Sequence, residues 1–63
     1  MWIATSDHQW FIHEIRGAVF VSWVQASDKA HACVFPEGRA HQWLETMKQA
    51  ASRDDLVLVR PFA

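Results

Sequence analysis

Four histidines and one cysteine, Cys33, are the side chains of this 63-residue chain with the most chemistry to offer. His31 and Cys33 are two residues apart, which on a strand places an imidazole and a thiol on one side, and His13 belongs to a neighbouring segment. Three such groups are the beginning of a zinc site. The spacing argues against one, because structural zinc sites draw on paired C-x-x-C or H-x-x-x-H runs and the chain contains neither. Cys33 is therefore read as a small core residue and His31 as a strand-edge residue, with no metal and no cofactor expected.

Nucleophilic catalysis needs Cys33 or a serine beside a histidine, with an acid to orient it. No glycine-flanked nucleophile, glycine-rich phosphate loop or carboxylate pair in a turn accompanies these residues. Asp54 and Asp55 read as a solvated helix exit. His41 and Glu45 lie one turn apart on a polar helix face with Gln42, Lys48 and Gln49, and pairing of Glu45 with Lys48 together with solvation accounts for that face. An enzyme is not expected; a small metal-dependent or hydrolytic one ranks third among the readings of the chain.

The elements that would position these groups follow from periodicity. Short runs rich in β-formers and separated by turn residues predict strands over 2–5, 10–16, 18–25 and 31–35. Gly17 supplies the positive φ of a tight hairpin, with Arg16-Gly17 expected as the turn. From residue 37 the period changes: Ala40, Trp43, Leu44, Met47 and Ala51 form the apolar stripe of an amphipathic helix over 37–52, with Leu44 and Met47 in the core. Residues 56–60 close the chain as a strand, stopped by Pro61. The expected fold is α+β, one domain over 1–63, with a small antiparallel sheet in the order ββββαβ and one helix on one face.

Pairing Ile15 with Ala18 places Trp10, Ile12, Val19, Val21 and Trp23 on one face of the hairpin, beneath Trp43, Leu44 and Met47. Phe11, His13, Ile15, Phe20, Ser22 and Val24 then share the other face. That second face is half polar and half aromatic, so Phe11, His13, Phe20, Ser22 and Val24 are the candidate protein-binding residues. The chain holds four Trp and four Phe. A domain this short hides only about 60% of the surface its unfolded chain exposes, so one of Trp2, Trp10 and Trp23 is expected at the rim as an anchor for a partner.

Charge narrows the choice of partner. Net charge is −1, and the six basic residues are scattered rather than gathered into the stripe that phosphates require, so direct nucleic-acid binding is not expected. The longest uncharged run, 17–27, falls far short of the roughly twenty apolar residues that span a bilayer. Residues 1–5 lack the basic start and apolar stretch of a signal peptide. With its single cysteine, the chain reads as a complete, soluble, cytoplasmic protein, monomeric or homodimeric.

The sequence Asp28-Lys29-Ala30, then Val34-Phe35-Pro36, then Ala40-His41-Gln42-Trp43-Leu44 and finally Leu56-Val57-Leu58-Val59 resembles the layout of very small phage and mobile-element proteins. In these a hairpin leads through an Ala and a Phe into a helix, and a last strand closes the sheet. Anti-CRISPR inhibitors are among them. The resemblance implies stoichiometric binding to a bacterial defence complex, in the host cytoplasm, that blocks its nucleic-acid recognition. Many such inhibitors are markedly acidic and imitate DNA; this chain departs from that pattern, leaving a local cluster of Glu37, Glu45, Asp54 and Asp55 as the secondary candidate contact. The alternative reading is a small homodimeric structural or accessory protein that self-associates through its aromatic sheet face.

Overall fold

The computed structural model describes residues 1–61. β1 (Trp2–Thr5), β2 (Trp10–Arg16), β3 (Val19–Gln25) and β4 (Leu56–Val59) form one antiparallel sheet in the order β3-β2-β1-β4. One helix, α1 (Ala40–Ala50), packs on it, so the α+β class and the sequence of strands, helix, strand are as expected.

Two details of the hairpin differ from the expectation and decide which side chains are inside. Arg16 pairs with Val19, so the turn is Gly17-Ala18, with Gly17 at φ +59°. The ladder is also irregular at two places: Ile12 faces Trp23, Glu14 faces Ser22 and Ile15 faces Phe20. His13 is thus an extra residue on β2, and Val21 an extra residue on β3. Each bulge reverses the in-and-out alternation of its strand, and because there is one on either side, the pairing recovers its register.

As a result Ile12 and Ile15, three apart, both pack toward the helix, as do Phe20 and Trp23, whose ring centroids lie 4.7 Å apart. They join Ile3, Phe35, Met47 and Leu56, with Trp43, Leu44 and Leu58 alongside. Val19 and Val21, expected in this core, are 63% and 42% exposed. Among helix residues Ala40 and Met47 are buried, while Trp43 and Leu44 are half-buried.

The other sheet face is not open. Trp2, Ala4 and Phe11 pack there with Val24, Ala26, Ala32 and Val59. Its cover is the chain leaving β3, a 3-10 segment over Ala26–His31. The Trp2 ring meets Phe11 edge-on at 5.5 Å and lies beneath the Lys29 ammonium at 5.9 Å. Residues 31–35, expected as a strand, are instead the end of this segment and the crossing that follows it. Beyond the pair Ala4–Phe11, β1 and β2 have no further partners in common. The crossing links them there: Cys33 N–H donates to the Ile12 carbonyl at 2.9 Å and Phe35 N–H to the Met1 carbonyl at 2.7 Å, while the Met1 ammonium donates to the Phe35 carbonyl at 2.9 Å. Ala32 belongs to one core cluster and Phe35 to the other, so the chain changes faces within these residues. Bonds divided between two different strands, with Pro36 next in line, leave no continuous ladder.

α1 begins after a 3-10 turn over Glu37–Arg39. It ends in a Schellman motif: Ser52 takes φ +54°, Ser52 N–H reaches the Gln49 carbonyl at 3.2 Å and Arg53 N–H reaches the Lys48 carbonyl at 2.9 Å. Met47 is fully buried between sheet and helix, so Met47→Ala is expected to cost about 2–5 kcal/mol, and Leu44→Ala less because Leu44 is only half-buried. Chemical denaturation of the two variants checks the order; a larger loss for Leu44→Ala contradicts this packing.

Candidate functional site

The paired bulges and the cover over the second face together separate the five residues expected to meet a partner. Phe11 is 2% exposed and belongs to the second core cluster, where the chain after β3 covers it. The expectation that it faces a partner is corrected. Phe20 packs toward the helix against Trp23, and Val24 packs beside Phe11, so these two lie on opposite faces. His13 is exposed, and its Nδ1 lies 3.2 Å from the Ser22 hydroxyl across the hairpin. Of the five, the structure thus brings together His13 with Ser22 at the hairpin surface and Phe11 with Val24 beneath the cover of the second face, and it leaves Phe20 apart from both pairs.

The acidic candidates are mostly occupied. Glu37 pairs with Arg60 at 3.0 Å, Glu45 with Lys48 at 3.3 Å, and Asp55 takes a two-pronged bond from Arg53 at 2.8 Å on each arm. Arg53 holds the Asp55 carboxyl below the usual carboxylate range. For Asp54 no side-chain partner is found among the described residues. Each of the three paired carboxylates has a cation at its side, which offsets its charge locally.

Cys33 and the histidines do not converge. Among the described residues no group of three His, Cys, Asp or Glu side chains is placed to hold a metal ion. Cys33 is half-buried, and burial pushes its thiol above the ordinary range, against a smaller opposing pull from the N-terminal ammonium. A thiol so displaced carries little thiolate at neutral pH. Labelling of Cys33 by a disulfide reagent at pH 7.5 is expected to be slower in the folded chain than in denaturant, and a chelator to leave the melting temperature unchanged. Equal labelling rates, or one tightly held zinc per chain, contradict this arrangement.

What sequence periodicity missed is the condition of the sheet's two edges. β4 is four residues long and is followed at once by Arg60 and Pro61, a charge and an imino acid that discourage further pairing. β3 is seven residues long, contains no charged residue and no proline, and has no strand on its outer side among the described residues. At 3.3–3.4 Å per residue it runs about 23 Å, across a molecule whose longest extent is 24 Å. Val19 and Val21 stand exposed along it. Trp10, paired with Gln25 at its far end, is 41% exposed and is the tryptophan left at the rim.

A hollow lies at each end of this strand. Beside the hairpin tip, Ala18 with Arg39, Gln42, Trp43 and Thr46 encloses about 260 Å³. At the other end Gln9, Trp10, Gln25, Ala26 and Ser27 line about 320 Å³. Backbone bonds fix the second: Ala26 N–H donates to the Gln9 carbonyl at 2.9 Å, and Trp10 N–H to the Thr5 hydroxyl at 3.2 Å. Both hollows are open at the surface and suit side chains of a partner better than an enclosed small substrate. No protein-family model, curated protein or solved structure matches the chain. No helix among the described residues is long and apolar enough to cross a membrane.

Proposed function

We propose that the chain is a non-enzymatic protein-binding module that takes up an extended segment of its partner on the outer edge of β3. The observation that carries this reading is the asymmetry of the sheet: one edge is short and closed by Arg60-Pro61, and the other is long, uncharged and unpaired among the described residues. Backbone N–H and C=O groups on such an edge supply affinity by strand addition, and side-chain pockets beside it supply choice of partner. The target proposed is a bacterial defence complex of the CRISPR-Cas kind whose nucleic-acid recognition the module blocks, the chain being an inhibitor carried by a phage or mobile element. Support for that target is the resemblance in size and layout, together with a surface free of the basic stripe of a direct nucleic-acid binder.

A second reading draws on the same edge. Two uncharged β3 strands related by a two-fold axis pair without like-charge repulsion, which favours a homodimer. Expression in cells whose CRISPR-Cas system targets an infecting phage tests the first reading: restored plaque formation is expected, and loss of that effect in Val21→Lys. Val21 is exposed, so the variant is expected to fold, while a charge on the edge weakens pairing by at least about 1.4 kcal/mol, or tenfold. Protection of the phage by Val21→Lys equal to that by the parent contradicts binding through β3. Sedimentation of the isolated chain addresses the second reading, since a dimer that Val21→Lys dissociates would favour self-association.

A further inference from the structure

The two ends of β3 are not alike in charge, and that difference gives the added segment a direction. At the start of the strand, Arg16 pairs with Val19, and Arg39 lines the hollow beside Ala18, the residue that precedes β3. Both arginines are exposed, and neither is in an ion pair among the described residues, whereas Arg53 and Arg60 each are. At the end of the strand the hollow is lined by Gln9, Trp10, Gln25, Ala26 and Ser27, with no charged side chain. Of the two charged residues that follow, Asp28 is exposed, and Lys29 holds its ammonium over the Trp2 ring at 5.9 Å on the second face of the sheet. Along β3 the surface therefore passes from two free cations, through an uncharged strand, to neutral amides and a carboxylate.

A segment added to this sheet pairs antiparallel, as every strand already in it does, antiparallel ladders being the more stable per residue. Its C-terminal end then lies at the start of β3. Resting on the strand-addition reading above, we propose that the partner segment is an apolar extended peptide that carries an aspartate or glutamate at its C-terminal end, received by Arg39 in the hollow at the hairpin tip. Arg39 suits this role because its planar fork bonds both oxygens of a carboxylate. Gln42 and Thr46, which line the same hollow, offer further hydrogen-bonding groups, and Trp43 offers an apolar wall. The amides about Trp10 take a neutral side chain from the segment's other end.

Selection from a displayed library of random peptides, each about twelve residues long and flanked on both sides by uncharged Gly/Ser linkers, tests the proposal with defined probes. Against the parent chain the enriched peptides are expected to carry acidic residues over basic ones by threefold or more in their C-terminal third. Against Arg39→Glu the bias is expected to reverse, and against Arg39→Gln to disappear; Arg39 is exposed, and unchanged melting temperatures would show that both variants are folded. Enrichment without charge bias, or with the same bias against Arg39→Glu, overturns the proposal. A synthetic copy of the commonest enriched peptide separates the two levels of the account. If it protects the outward amides of β3 from exchange but shows no dependence on Arg39, strand addition stands and the carboxylate assignment fails. If it binds without protecting β3, or if no peptide is enriched, both fail.

Discussion

The arrangement of this molecule depends on the paired bulges at His13 and Val21. A regular hairpin would send Ile12 and Ile15 to opposite faces, and Phe20 and Trp23 likewise. With one extra residue on each strand, all four pack toward α1 while the ladder keeps its register on either side. Phe11 and Val24 lie outside the bulged stretch and keep to the other face, as in a regular hairpin, where they meet Trp2, Ala4 and Val59. The sheet has two apolar faces, each needing a cover, and the described residues form only one α-helix to supply. The 3-10 segment after β3 becomes the second cover, and residues 32–35 must carry the chain back to the helix side.

That demand explains the crossing between β1 and β2. By bonding Cys33 to Ile12 and Phe35 to Met1, the connection satisfies backbone groups that the divergence of β1 from β2 would otherwise leave unpaired. Phe35 then reaches the helix side, where its ring lies 5.3 Å from that of Trp43. With both faces covered, the aromatic side chains are largely used in building the interior, and among the described Trp and Phe residues Trp10 is the one most exposed to solvent. What the sheet leaves uncovered on the side of β3 is an edge rather than a face. The two edges of the sheet differ: β4 is stopped by charge and proline, and β3 is not.

Much of this was legible in the residues. The helix showed in the spacing of Ala40, Trp43, Leu44 and Met47, and the three strands flanking the turns at Ser6–Gln9 and Gly17 showed in their β-branched and aromatic runs. The face assignment was not legible from strict alternation, because alternation assumes that no bulge intervenes. A signal for the bulges was nevertheless present: Ile12-His13-Glu14-Ile15 and Phe20-Val21-Ser22-Trp23 each hold bulky apolar residues three apart around a pair that includes a polar one. Residues 31–35 look like a strand by composition, but His31 ends the 3-10 segment, Cys33 and Phe35 bond to Ile12 and Met1 in turn, and Pro36 follows. The Schellman end of α1 lacked its usual glycine, with Ser52 taking the left-handed position instead. Edge character was beyond reach, since it depends on strand order, which periodicity along the chain does not contain.

Amide hydrogen exchange followed by NMR on the isolated chain at low concentration tests the central claim most directly, that β3 is a formed strand with an unoccupied outer edge. Amides of β1 and β2, the two strands with a neighbour on each side, should be the best protected, and those of β3 directed toward β2 should be slow as well. The β3 amides directed outward should exchange orders of magnitude faster, comparably with exposed loops. Uniform protection of all β3 amides, inward and outward alike, would contradict the account.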